Sequence, residues 1–436
     1  MALQPTVLPV PARTAYTEID PKDWFDGAQV RSAMYTDERL FAAEMERIFE
    51  SNWVYLAHES EVAQGGDYKT AWLGREPVVV VRAPDGHIKV FRNRCRHRGT
   101  TVCQTERGTT RFFRCAYHGW IYDLSGRLVS LTEASGYDGV ASPDTLGLLP
   151  VARVETYRGL IFASLLPDVA PLKSHLGGAL RFMDRFLDQG GRWALAVAGE
   201  FKLTVRANWK LVLENSTDGY HFRYTHRSFL DTLPGEPGTW KRVASGTARR
   251  FTRALPNGHS VIHGDFETVA SHDMPRVTPA EWPEFVATVK ARYPLEADEI
   301  IRASSGSLMN VCLFPNISLS DMFLRELRPI GPELTEVRHI ALKLVDGPAE
   351  ANQIRLRIHE AFNGPAGLGN TDDCEAWSRI QVGLRAAPET WTLLNRGLAR
   401  ESVENGNEVV ADGSDESGMR GVYREWSRLM RGARGA

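Results

Sequence analysis

In the stretch CRHRGTTVCQTERGTTRFFRCAYHGW, from Cys95 to Trp120, two short segments each carry one cysteine and one histidine. They are Cys95-x-His97 and, after a gap of 17 residues, Cys115-x-x-His118. The other three of the five cysteines, Cys103, Cys312 and Cys374, are scattered. An odd and small number of cysteines does not make a disulfide scaffold, so the clustered pairs point to metal or redox chemistry. Cys103, between the pairs, is read as a small apolar packing residue.

A structural zinc site most often groups its cysteines together and its histidines together, although two of each also satisfy the ligand count of zinc. A Rieske 2Fe-2S cluster takes two cysteines on one iron and two histidines on the other, which two Cys-His loops clasping from opposite sides supply. Neutral imidazoles in place of two thiolates reduce the cluster's negative charge and raise its potential, making it a relay of single electrons. The glycines of HRG and HGW suit tight turns that bring backbone amides close to the sulfurs.

The 436 residues, 43% hydrophobic and 24% charged, are ordinary globular composition with room for two domains. A formal net charge of -2 gives no global field for nucleic acid or an anionic membrane. No apolar run approaches the roughly 20 residues that span a bilayer, and the N-terminus lacks a basic-then-apolar signal. The chain is therefore read as cytoplasmic, with no nucleic-acid or membrane partner. A helix opens at YTDERLFAAEMERIFESNW, capped by Thr36 or Asp37. Short strands run from about Asp67 to about residue 168, with DYKTAWLG, EPVVVVRA and IKVFRN among them. GEFKLTVRANWKLVLENSTDGYH then reads as strand and helix, SLMNVCLFPNISLSDMFLRELRPI and TEVRHIALKLV as antiparallel strands, and 348–362 and 372–387 as helices. Strands grouped together with helices segregated predict an α+β fold: a small all-β domain over 55–168 and a larger catalytic domain over 169–436, to which segment 1–54 is assigned. The first dozen residues and the last 25 or so read as loose ends.

About 100 residues beyond the cysteine pairs, ENSTDGYHFRYTH places Glu214, Asn215, Asp218, His221 and His226 close together. Two imidazoles and one carboxylate on one face of a ferrous ion leave positions open for dioxygen and substrate. Five residues on a regular helix separate His221 from His226 by roughly 140° around the axis, so the segment must bend or unwind to unite them. The carboxylate must come from elsewhere, and GPAGLGNTDDCEAW offers Asp372 and Asp373 at a helix start that Thr371 can cap. One acid can serve the helix terminus while the other binds iron.

Taken together, CxH and CxxHGW, ENxxDxYHxxxxH, and GPAG followed by DD resemble, in order and spacing, the large catalytic subunit of the Rieske non-haem iron aromatic ring-hydroxylating oxygenases. The resemblance covers nearly the whole chain and is strongest to the benzoate, toluate and anthranilate dioxygenase group. It implies a Rieske domain and a helix-grip catalytic domain, with the cluster on Cys95, His97, Cys115 and His118 and iron on His221, His226 and Asp373. It also implies that Asn215 lies beside the iron and that Asp218 bridges the centres, hydrogen-bonding to an iron-ligand histidine and to His118 of a neighbouring subunit. The activity implied is cis-dihydroxylation of an aromatic ring with O2, here an aryl carboxylate, the alternative being a Rieske monooxygenase that hydroxylates or demethylates. The implied partners are a homotrimer of large subunits, a small beta subunit, and a flavin reductase, with or without a ferredoxin. The chain has no dinucleotide fingerprint or four-cysteine ferredoxin spacing, so NADH must act through that separate reductase.

Three further groups deserve a place. His259, His263 and Asp265 in GHSVIHGD are read as a loop over the pocket mouth. Arg223, Arg325 and Arg328 are candidates to neutralise a substrate carboxylate, against the commoner solvated or surface-paired arginine. Phe222, Met309, Leu313 and Phe323 are candidates to line an aromatic site, with core packing as the default.

Overall fold

The computed structural model describes residues 19–138, 142–232, 249–264, 281–305, 307 and 309–431. Among them the chain forms two compact units, 43–172 and 19–42 together with 173–431. The two compact units divide at 42/43 and 172/173. The first division lies inside a helical stretch: α1 (Glu38–Glu44) starts where Asp37 accepts hydrogen bonds from the Arg39 and Leu40 amides, and widens into a π-turn over Met45–Phe49.

The first unit is all β outside its short helical turns. Strand β1 (Val54–His58) pairs with β10 (Leu160–Ser164), which pairs with β9 (Arg153–Tyr157). A four-stranded sheet has the order β4 (Ile88–Arg92), β3 (Glu76–Arg82), β2 (Asp67–Leu73), β5 (Arg107–Thr109). A three-stranded one joins β6 (Phe113–Arg114), β7 (Ile121–Tyr122) and β8 (Leu128–Ser130). Val79, Phe91, Trp120 and Tyr122 share one core with Cys95, Cys103 and Cys115. The cysteine loops are therefore anchored in packed side chains at their first residue.

The second unit is built on a nine-stranded antiparallel sheet. Its order is β11 (Leu195–Val205), β17 (Leu334–Leu344), β16 (Phe323–Gly331), β15 (Ile317–Ser320), β14 (Met309–Leu313), β13 (Ser260–Gly264), β12 (Arg250–Ala254), β19 (Glu408–Asp412), β18 (Ser402–Glu404). Helix α2 (Trp209–Thr217) packs against β14 and β16, and the long helices α5 (Ala349–Asn363) and α6 (Leu368–Ala386) pack on each other, α5 also on β17. This is the α+β arrangement expected, with an antiparallel sheet and helices against it.

Two expectations are corrected. The C-terminal stretch is not loose: α7 (Ser417–Met430) buries Met419, Val422, Tyr423, Trp426 and Met430 against β12 and β13. Their three- and four-residue spacing forms an apolar stripe among arginines, each member contributing about 2 kcal/mol by burial. Nor does α6 begin at Thr371. It begins at Leu368, after an extended Gly367, and the Thr371 hydroxyl donates back to the Gly367 carbonyl. Asp372 and Asp373 consequently lie in the second turn, where they point off the helix side instead of capping its end.

Candidate functional site

The two cysteine loops share one geometry. In the first, the Cys95 amide donates to the Thr100 carbonyl (2.8 Å) and the Gly99 amide to the Cys95 carbonyl (3.1 Å). In the second, Cys115 donates to Trp120 (2.8 Å) and Gly119 to Cys115 (3.0 Å), the same i to i+5 and i+4 to i closure. Both glycines take a positive φ, 83° and 74°, which lets the chain turn back after each histidine without strain. Cys95 and Cys115 are buried in one cluster, and burial pushes the Cys95 thiol up while the Tyr122 hydroxyl at 3.2 Å opposes this. The His97 and His118 rings turn their Nδ1 atoms to each other at 3.0 Å. Trp120 stacks on His97 at 4.9 Å, and the Tyr137 hydroxyl lies 3.4 Å from its Nε2. Desolvation and the charges of His118 and Arg98 depress His97, favouring the neutral imidazole a metal requires. Cys103 is buried in the core with its thiol pushed up to about 12, an inert packing residue.

In the second unit the chain breaks where the histidine spacing demands. Helix α2 stops as Asp218 becomes extended, a single turn, α3 (Phe222–Thr225), follows His221, and His226 leaves helical geometry before α4 (Arg227–Thr232). The two rings meet at 5.2 Å. With Asp373 from α6 they bring one ligand-type atom each within 4.8 Å of one another. Asp373 Oδ1 lies 3.2 Å from His226 Nε2 and 3.6 Å from His221 Nε2. Asp372 faces the other side of the same imidazole, 3.7 Å from His226 Nδ1, and accepts from Ser228 Oγ.

The surroundings hold these groups in place. Asp218 Oδ1 accepts from the Tyr220 and His221 amides, and Oδ2 lies 3.4 Å from His221 Nδ1. Asn215 Nδ2 donates to Asp373 (3.0 Å) and lies 3.2 Å from His221 Nε2, while its Oδ1 accepts from buried Arg325 (2.8 Å). Burial raises Asp373, yet His226, His221 and Arg325 outweigh it and keep its carboxyl below the usual range. Burial likewise opposes ionisation of Asp218, and the His221 ring and two amides overcome it. Two convergent imidazoles and a buried carboxylate held ionised fit a divalent metal with positions left open. The cysteine loops fit a group that takes two thiolates and two imidazoles.

That donor set alone suits zinc as well as a cluster, and the relationship to known proteins decides between them. The Rieske 2Fe-2S domain family matches residues 52–150, and the family described as ring hydroxylating alpha subunit (catalytic domain) matches residues 192–432. The chain belongs to the ring-hydroxylating alpha subunits. It is 31% identical over 379 residues to the 2-halobenzoate 1,2-dioxygenase large subunit of Burkholderia cepacia, covering 84% of this chain and 79% of that one. Over 439 residues it is 33% identical to the benzene 1,2-dioxygenase alpha subunit of Pseudomonas putida (97% and 96%). Naphthalene 1,2-dioxygenase from a Rhodococcus species, solved with indole bound, superposes with a TM-score of 0.76 at 27% identity, covering 92% of this chain and 94% of that one. Ring-hydroxylating alpha subunits are oxidoreductases with a Rieske 2Fe-2S cluster and a mononuclear iron, and typically draw on NADH through a partner reductase. Among the described residues no helix is long and apolar enough to cross a membrane.

Other candidates fall elsewhere. His263 lies on β13, while His259 lies buried in the connection between β12 and β13. His259 holds the His175 carbonyl and the Phe314 amide, and His263 contacts Arg253 and the Gly264 carbonyl, while Asp265 lies outside the described residues. Arg325 serves Asn215 and Asp373, Arg328 lies 3.7 Å from Glu336, and Arg223 rests on the exposed Tyr224 ring. Met309 and Leu313 are core. Phe323 lines a cavity, and Phe222 packs on His226. Sequence reasoning missed Tyr122 and Tyr137 beside the cysteine loops and His359, Phe362 and Asn363 at the end of α5. Only proximity to GPAG hinted at the last two.

Proposed function

We propose that this chain is the terminal oxygenase component that cis-dihydroxylates an aromatic ring, an aryl carboxylate of the benzoate type, with both atoms of O2. The observation that carries the reading is the convergence of His221, His226 and Asp373 in the catalytic domain of this family. The benzoate-type ring rests on relatives such as 2-halobenzoate and toluate dioxygenases. Cys95, Cys115, His97 and His118 would hold the cluster, and His221, His226 and Asp373 the iron. When bound, the cluster supplies single electrons and the iron activates dioxygen.

The remaining residues orient and tune. Asp218 fixes the His221 ring from its Nδ1 side, which would leave the Nε2 lone pair free to hold the iron. Asn215 ties His221 to Asp373, and Arg325 behind them offsets the carboxylate's charge without taking a metal position. Asp218 retains 22% of its side-chain exposure, leaving it reachable by His118 of a neighbouring subunit in a homotrimer, with or without small beta subunits. Electrons come from cytoplasmic NADH through a separate flavin reductase, directly or by way of a ferredoxin.

The test is turnover of benzoate under 18O2 with a reductase and NADH, read by mass spectrometry. Two labelled oxygens in a ring diol are expected. A single labelled oxygen, or none, contradicts the proposal.

A further inference from the structure

Beside His226, the Phe362 ring (5.0 Å away) forms part of the wall of a small cavity of about 20 Å³. Phe229 and Phe323 also line it, and its polar lining comes from Asp321, His359 and Asn363. His359 and Asn363 are four residues apart on α5, hence on one face of the helix. They are 2% and 5% exposed, yet among the described residues His359 Nδ1 and Asn363 Oδ1 have no hydrogen-bond partner. An unpaired acceptor in the interior is unfavourable. Two on the same wall, next to the metal-type donor set, mark a site whose partner arrives with a ligand.

The chemistry of the lining narrows that partner. Burial pushes His359 down to about 4, so its ring is neutral at pH 7, and in the tautomer protonated at Nε2 the unpaired Nδ1 is an acceptor. Asn363 Oδ1 and the Asp321 carboxylate are acceptors too. No lysine or arginine is among the lining residues, and an acid is, so an anionic group is disfavoured there. A space of this size holds about one water molecule or one small substituent, not a ring.

We propose that this cavity seats a hydrogen-bond-donating substituent, an amino or hydroxyl group, carried on the aromatic ring that reacts at His221, His226 and Asp373. The inference rests on reading that set as the reacting centre. Any carboxylate of the substrate then points away from this wall, and His359 and Asn363 set specificity by accepting the substituent's N–H or O–H. A methyl group of similar size fills the space but leaves both acceptors unpaired.

The test is anaerobic calorimetry of the holoenzyme with the positional isomers of aminobenzoate and methylbenzoate, alongside product analysis with the same compounds. At least one amino isomer is expected to bind about tenfold tighter than its methyl counterpart, and Asn363→Leu to erase most of that difference. Equal affinity within every pair in the wild-type protein overturns the inference, whether or not the variant folds. Product formation without amino preference also overturns it, leaving the ring-hydroxylating reading intact. Amino preference without any oxygenated product keeps the subsite and removes the reaction assigned above.

Discussion

Asp218 ends α2, accepts two amides of the following turn and faces His221 Nδ1, so one side chain both shapes the backbone and sets an imidazole's orientation. Asp218→Asn keeps the amide contacts but removes the charge that fixes the tautomer. Both metal centres are expected to load while turnover falls about 10–100-fold or more, measured as iron content against coupled product formation. Near-normal turnover would contradict the orienting role. At this scale much of the site was legible. Each ligand-type residue drew attention through its type and spacing, and the geometry separates Asp373, buried in the set, from Asp372 on the outer side of His226. What spacing cannot show is which side chain another residue occupies. Arg325 is spent on Asn215 and Asp373 because β16 brings it beneath α2, a juxtaposition of positions more than 100 residues apart.

The elements are tied together by a buried acid. Glu214 on α2 meets the Tyr423 hydroxyl of α7 and the Tyr35 hydroxyl (2.7 Å), and the two hydroxyls are 2.9 Å apart. Burial pushes Glu214 up to about 7, against the pull of its two tyrosine partners. Its native pKa lies above the unfolded value, so between about pH 4.5 and 7 the unfolded chain gives up a proton that the native one retains. Stability therefore falls as pH rises through that window, by up to about 3 kcal/mol. Glu214→Gln should flatten this slope in denaturant melts at pH 5 and pH 7.5, and an unchanged slope would mean that the acid is ionised in the native fold. None of this was visible in the sequence, because α7 was read as a loose, charged tail. Its apolar stripe is interrupted by arginines, and only packing on β12 and β13 reveals it as structure. Many strands of both units, by contrast, were legible from runs such as EPVVVVRA, whose valines are all fully buried, whereas β13 was read as a loop.

For the molecule as a whole, two units each supply one donor set: twin Cys-His loops in one, and two histidines with a carboxylate in the other. The order of motifs along the chain follows this division, and α1 runs through one of its borders without a turn signal. The most direct measurement is the EPR spectrum of the dithionite-reduced protein, with iron and zinc quantified on the same anaerobic sample. A rhombic Rieske signal with about three irons per chain, two in the cluster and one mononuclear, is the predicted result. Zinc in the cysteine loops with no such signal would contradict it, and with it the assignment of electron relay and oxygen chemistry to this chain.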